Sequence, residues 1–136
     1  MTSRLNPYLS FRDNAREALT FYQEVFGGEL DLNTFGQYGD QDAPEANLVM
    51  HGQLTTADGD VLMGSDTPPG MDYQPTAGVS LSLSGADDKL RDWFVRLSEG
   101  GTVTMPLEKQ MWGDEFGMVT DRFGIPWMVN VTASEG

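Results

Sequence analysis

A chain of 136 residues can build one domain with a sizeable core, or two small modules that share one, and leaves no length for a separate cofactor domain. Its 8 Lys and Arg against 21 Asp and Glu give a formal charge of -13, which repels phosphate backbones and anionic lipid, so neither nucleic acid nor a membrane is an expected partner. Zero Cys removes disulfides, thiolate metal sites and a cysteine nucleophile, and the short apolar runs make neither a secretory signal nor a membrane span, so a cytoplasmic location is expected.

In chain order, Leu5 to Phe11 alternates at period two and predicts a strand. A helix follows, with Asn14 as N-cap, Glu17 three residues on, and Ala15, Ala18, Leu19, Tyr22, Val25 and Phe26 at helical spacing. Gly27-Gly28 stops it. Strands are expected over Glu29 to Phe35, Ala46 to Thr55 and Val61 to Ser65, separated by a Gly36 to Pro44 loop and an Asp58-Gly59 turn. After a Pro-, Gly- and Asp-rich loop the order returns: a strand at Val79 to Leu83, a helix near Asp87 to Ser98, then strands at Thr102 to Leu107, Met111 to Thr120 and Pro126 to Val131. Leu9-Ser10-Phe11 falls on Leu81-Ser82-Leu83 and Phe21-Tyr22 on Trp93-Phe94 at a displacement of 72 (81 - 9), whereas Gly52 falls on Gly117 and Met63 on Met128 at 65 (117 - 52). The expected organisation is a single domain over 1–136, with one module at about 4–66, a loop at 67–77 and a second module at about 78–132.

Two strand-helix-strand-strand-strand copies each have an apolar sheet face to cover, so an α+β fold is expected. The two sheets together would form a cupped, barrel-like mixed sheet with helices outside and a cavity within. Strand parity puts Leu9 and Phe11 under the helix and turns Asn6, Tyr8 and Ser10 toward the cavity, with Ser80 and Ser82 following in the second module. Phe21, Tyr22, Trp93 and Phe94 sit at core spacing, and Trp127 shares the helix-facing parity of Val129.

This paired repeat resembles the vicinal oxygen chelate superfamily of glyoxalase I, bleomycin-resistance proteins and extradiol dioxygenases. The segments Asn6 to Phe11, Ala18 to Gly27, Val61 to Asp66, Trp112 to Gly117 and Thr120 to Asn130 are similar to its PhnB-like branch, over about residues 4 to 132. Members of that branch have been labelled ubiquinone-pathway methyltransferases, but no glycine-rich loop follows the first strand to hold S-adenosylmethionine. The resemblance implies a homodimer. It also implies inward positions for Val61, Met63, Ser65, Pro126, Met128 and Asn130.

The superfamily's metal enzymes hold one divalent ion that polarises neighbouring substrate oxygens. Carried over, the ligand positions fall near Asn6 and Gly78 and on Met63 and Met128, none of them suited to a hard cation. No cofactor is therefore expected, and a divalent ion is disfavoured. The alternative is a metal-dependent lyase, isomerase or dioxygenase with an atypical site built on His51, the only histidine, and Glu115 or Asp114. A lone strand histidine such as His51 is more often a hydrogen-bonded wall residue, and a solvated turn explains Glu115 equally well. Trp112 beside Gly113 suits a lid or an ordinary packing role. The expected function is binding of a small organic molecule of unassigned identity by Tyr8, Ser10, His51, Met63, Ser80, Trp112, Met128 and Asn130, with His51 and Glu115 the candidates for any catalysis.

Overall fold

The computed structural model describes Ser3 and residues 5–133. Residue 4, where the first module and the resemblance are taken to begin, lies outside them. The elements are β1 (Tyr8–Phe11), α1 (Ala15–Phe26), β2 (Glu29–Thr34), α2 (Phe35–Tyr38), β3 (Val49–Thr55), β4 (Val61–Asp66), β5 (Leu81–Gly85), α3 (Lys89–Ser98), β6 (Thr102–Lys109), β7 (Glu115–Thr120) and β8 (Pro126–Val131). The chain divides between Pro75 and Thr76 into two compact units, each with its own four-stranded sheet.

In the first unit the strand order is β1-β4-β3-β2, with β1 parallel to β4 and the other pairs antiparallel. The spacing of Ala15, Ala18, Leu19, Tyr22, Val25 and Phe26 places all of them on the buried face of α1. Asn14 occupies the N-cap, but its side chain makes no capping bond. Asp66 at the end of β4 does that work, its Oδ1 accepting the Ala15 N–H at 2.9 Å while Oδ2 accepts the Val49 N–H at 2.9 Å. One carboxylate thus ties the helix start to β3. At the other end Gly28, at φ 106°, passes so close to β3 that an added Cβ would lie 2.0 Å from the Thr55 carbonyl oxygen. Helix and sheet can approach closely because Gly52 leaves room for Leu19; a Cβ there would meet Leu19 Cδ1 at 2.4 Å.

The second unit repeats the plan in the order β5-β8-β7-β6, with β5 parallel to β8. Leu90, Phe94 and Leu97 form the buried face of α3, over Val119, Trp127, Val129 and Val131. Asp121, in the turn before β8, is 3% exposed. Its Oδ1 accepts the Phe123 and Ile125 N–H groups at 2.8 and 3.0 Å, and its Oδ2 accepts Trp127 Nε1–H at 2.9 Å. The Asp121-Arg122-Phe123-Gly124 turn is therefore folded around a carboxylate that also anchors the indole. Trp93, expected in the core, is half-buried, with the Lys89 ammonium 5.4 Å from its ring centroid.

The two units superpose in plan, though not at the displacement expected for the first strand. Tyr8 lies opposite Met63 and Ser82 opposite Met128, so these strands correspond at 74 residues (82 - 8). The helices keep 72, as Tyr22 and Phe94 do (94 - 22). A slip of two preserves strand parity, which is why the faces read correctly even though the residues do not. β5 accordingly starts at Leu81 and not at Val79, and Ser80 lies before the strand, exposed. The strand expected from Met111 begins only at Glu115, because Gln110 to Gly113 form a turn closed by Gly113 N–H to Gln110 O at 3.0 Å. Helix α2 occupies the start of the expected Gly36 to Pro44 loop, with the Gln37 side chain accepting the Thr34 N–H at 2.8 Å.

Candidate functional site

Helix α1 covers the face of the first sheet that carries Leu9, Phe11, Gly52, Leu54 and Leu62. Alternation then puts Tyr8, Ser10, His51, Gln53, Met63 and Ser65 on the opposite face. That face is turned away from α1, and Tyr8 on it is 50% exposed. Four of the expected residues, Tyr8, Ser10, His51 and Met63, are thereby brought onto one surface. Gln53, directly opposite Met63, joins them although the sequence did not single it out.

The polar centre of the face is a hydrogen-bonded pair. Tyr8 Oη lies 3.3 Å from His51 Nδ1, and the rings sit 5.7 Å apart at 32°. Backbone ladders fix both residues, β1 through Met63 of β4 and β3 through its pairing with β4 on one side and Asn33 of β2 on the other. None of the four strands contains Lys or Arg. The face thus offers a thioether, hydroxyls, an amide and an imidazole, with Asp31 of β2 at its edge strand.

In the second unit the corresponding face carries Ser82, Ser84, Phe116, Met118, Met128 and Asn130. Asn130 is engaged: its Nδ2 donates to Asp114 Oδ2 at 3.0 Å, and Asp114 Oδ1 accepts the Ala133 N–H at 3.0 Å. These two bonds, the backbone one foremost, hold the Asp114 carboxyl below its ordinary 3.8. Glu115 points to the helix side, where Arg91 Nε lies 3.0 Å from Oε2 and 3.2 Å from Oε1, and the same guanidinium also pairs with Asp88. The hydrogen bond from Arg91 holds Glu115 below its ordinary 4.5. A carboxylate so paired is a poor proton acceptor near neutrality. Trp112 lies in the turn before β7, 63% exposed, edge-on to Phe116 with 6.3 Å between centroids.

Because both carboxylates have lower values folded than unfolded, what they contribute to stability is complete above 3.8 and 4.5 and is lost as pH falls through the folded values. In a carboxyl-detected NMR titration, Asn130→Ala should raise the Asp114 midpoint and Arg91→Ala the Glu115 midpoint, each toward its ordinary value. Midpoints unmoved by these substitutions would contradict the assigned causes.

For the metal chemistry implied by the resemblance, the donor set does not fit. The last-strand positions hold the Met63 and Met128 thioethers, Asn6 offers an amide before β1, Gly78 has no side chain, and Ser80, the counterpart of Asn6 at the 74-residue displacement, offers only a hydroxyl. Among the described residues no three His, Cys, Asp or Glu side chains are placed so that they could hold a metal ion. The first unit also has a groove of about 550 Å³ at the carboxyl ends of β1 and β4, lined by Arg12, Asp13, Thr67, Met71 and Tyr73 among others. None of the expected residues lines it. Among the described residues no helix is long and apolar enough to cross a membrane.

Asp66 and Asp121 are the groups the sequence reading missed. Asp121 had a legible signal, since a side chain that accepts the N–H two residues on is the usual Asx turn before Gly. Asp66 had none, its partners lying 51 and 17 residues away.

A model of the Glyoxalase/Bleomycin resistance protein/Dioxygenase superfamily matches residues 4–129. Protein YjdN of Escherichia coli is 31% identical over 144 residues, spanning 96% of this chain and 97% of that protein. The crystal structure of protein PA1353 from Pseudomonas aeruginosa is similar at a TM-score of 0.87 and 37% identity, over 98% of this chain and 100% of that one. The PhnB protein from Bacillus cereus shares the fold at a TM-score of 0.78 and 22% identity, over 96% of this chain and 100% of its own.

Proposed function

The chain belongs to the glyoxalase/bleomycin resistance protein/dioxygenase superfamily, and on that premise we propose that it binds a small, partly apolar organic molecule on the sheet face of its first unit that is turned away from α1, without the divalent ion of the family's metal enzymes. One observation carries the reading: Tyr8, His51, Gln53 and Met63 share a face whose polar groups are fixed by backbone ladders around a pliable thioether. Small-molecule sites set placed hydrogen-bonding groups beside apolar contact area, which the Met63 thioether and the Tyr8 ring supply here. Binding is the activity proposed, because the one imidazole pairs with a phenol and Glu115, the carboxylate expected to help it, is committed to Arg91. Association into a homodimer belongs to the same proposal, with the mass in light scattering as its check.

The test is a screen of neutral and charged aromatic fragments by thermal shift, followed by titration of those that bind. Met63→Lys, which plants a charge in the middle of the face, is expected to weaken binding by more than about tenfold, or about 1.4 kcal/mol. Met111→Lys, at a fully exposed turn position, should leave it unchanged. Equal affinity of the Met63→Lys protein would overturn the proposal.

A further inference from the structure

We propose that Tyr8 is a positioning residue that sets the tautomer of His51, so that the ligand of this face presents a hydrogen-bond-accepting oxygen of carbonyl type to His51 Nε2–H. The inference rests on the binding reading above and deepens it to a chemical class. A neutral imidazole carries one donor and one acceptor nitrogen, and the bond made at one decides the role of the other. In the contact between Tyr8 Oη and His51 Nδ1, 3.3 Å apart, relative donor and acceptor strength gives the proton to the phenol. A phenol O–H is a stronger donor than a neutral imidazole N–H, and an imidazole nitrogen is a stronger acceptor than a phenol oxygen. Nδ1 is then the acceptor and Nε2 keeps the ring proton.

The pair is not an accident of loop conformation. Tyr8 and His51 are 43 residues apart in sequence, and each stands on a strand hydrogen-bonded to β4, so their relation is set by the ladders Tyr8–Met63 and Gln53–Met63. Nε2–H is then the donor that His51 presents to a ligand on this face. The remaining chemistry narrows which acceptor. No strand of this sheet carries Lys or Arg, Asp31 lies on the edge strand, and the whole chain has a formal charge of -13. A phosphate or carboxylate would find no fixed positive charge there, whereas a neutral ketone, amide or quinone needs only the one donor and an apolar surface such as Met63.

Because His51 is the only histidine, ¹⁵N-imidazole NMR of the intact protein reads it without ambiguity. With the ring neutral, the wild type is expected to show an unprotonated Nδ1 and a protonated Nε2. Tyr8→Phe, which keeps the ring and removes only the hydroxyl, should move both signals toward the mixed tautomers of free imidazole. A protonated Nδ1 in the wild type, or ¹⁵N signals unchanged by Tyr8→Phe, would overturn the inference. The ligand half uses acetophenone and benzamide against ethylbenzene, which lacks the oxygen, and benzoate, which is charged. The first two should shift Nε2 in the wild type, and should bind the Tyr8→Phe protein only up to about twofold more weakly, because the Nε2–H tautomer stays substantially populated there. Ethylbenzene and benzoate should leave Nε2 in place. Binding of the carbonyl probes to the face with Nε2 unmoved would overturn this inference and leave the binding reading standing. Absence of any shift on the face with all four would overturn the binding reading, and the ligand class with it.

Discussion

Replacing Asp121 with alanine is expected to cost about 3–5 kcal/mol, since the buried N–H of Ile125, the buried indole N–H of Trp127 and the half-buried N–H of Phe123 lose their acceptor. An unpaired buried donor costs about 1–3 kcal/mol. Two of them give about 2–6 kcal/mol, and the half-buried Phe123 N–H adds less because water reaches it. The carboxylate and its indole partner are each 3% exposed, so little solvent reaches them in the intact fold. A domain of this size has a total stability of about 5–15 kcal/mol, so the variant should be marginal or unfolded at room temperature. Urea unfolding followed by tryptophan fluorescence reads the effect where it arises, because Trp93, Trp112 and Trp127 all belong to the second unit. A loss under about 1 kcal/mol would contradict the role assigned to this carboxylate.

Asp66→Ala should follow with a loss of about 2–4 kcal/mol, since two buried backbone donors, Ala15 N–H and Val49 N–H, lose their acceptor. Here the damage is directional. The first turn of α1 loses its only side-chain cap, Asn14 supplying none, and the entry to β3 loses its tie to the end of β4. Asp66→Asn keeps one acceptor oxygen and should lose roughly half as much. Amide hydrogen exchange at Ala15 and Val49 checks this directly: both should exchange faster in the alanine variant, and in the asparagine variant only the one facing the new amide. Protection unchanged at both positions would show that the helix start is held by something else.

Both carboxylates illustrate what periodicity can and cannot deliver. The duplicated strand-helix-strand-strand-strand order was legible because it is written locally: in the spacing of Ala18, Tyr22 and Val25 in one helix and of Leu90, Phe94 and Leu97 in the other, and in Gly27-Gly28 and Gly100-Gly101 after them. Faces were legible for the same reason, since a two-residue error in matching Tyr8 to its counterpart leaves every side chain on its proper side. Register was not. Which residue stands opposite Met128 depends on hydrogen bonds between segments far apart in the chain, and the answer is Ser82 and not Ser80. Strand starts failed where a turn consumed the apolar residues. Met111 and Trp112 look like strand residues, but Gly113 at φ 101° and the bond from its N–H to Gln110 O make them a turn. Likewise Ala46 to Leu48 are taken up by turns, with Ala46 N–H bonded to Ala43 O and Leu48 N–H to Glu45 O.

For the candidate site, parity brought Tyr8 and Ser10 to one face, the family resemblance put Met63 with them, and the single histidine drew notice by its chemistry. That Tyr8 and His51 touch could not be read, because the contact spans 43 residues and depends on β4 lying between them. The pairing of Glu115 with Arg91 was hidden for a similar reason, as helix and strand residues 24 apart meet only once α3 lies on its sheet.

The most direct test of the account is a titration of the protein, carrying ¹³C-methyl methionine, with the carbonyl probes named above. Met63 lies on the proposed face, Met71 lines the groove beside Arg12, and Met111 sits fully exposed in a turn, so three methyl groups report on three places. The account predicts a saturable shift at Met63, accompanied by His51, with Met71 and Met111 unmoved. A saturable shift at Met71 with Met63 silent would place the site in the groove and contradict it.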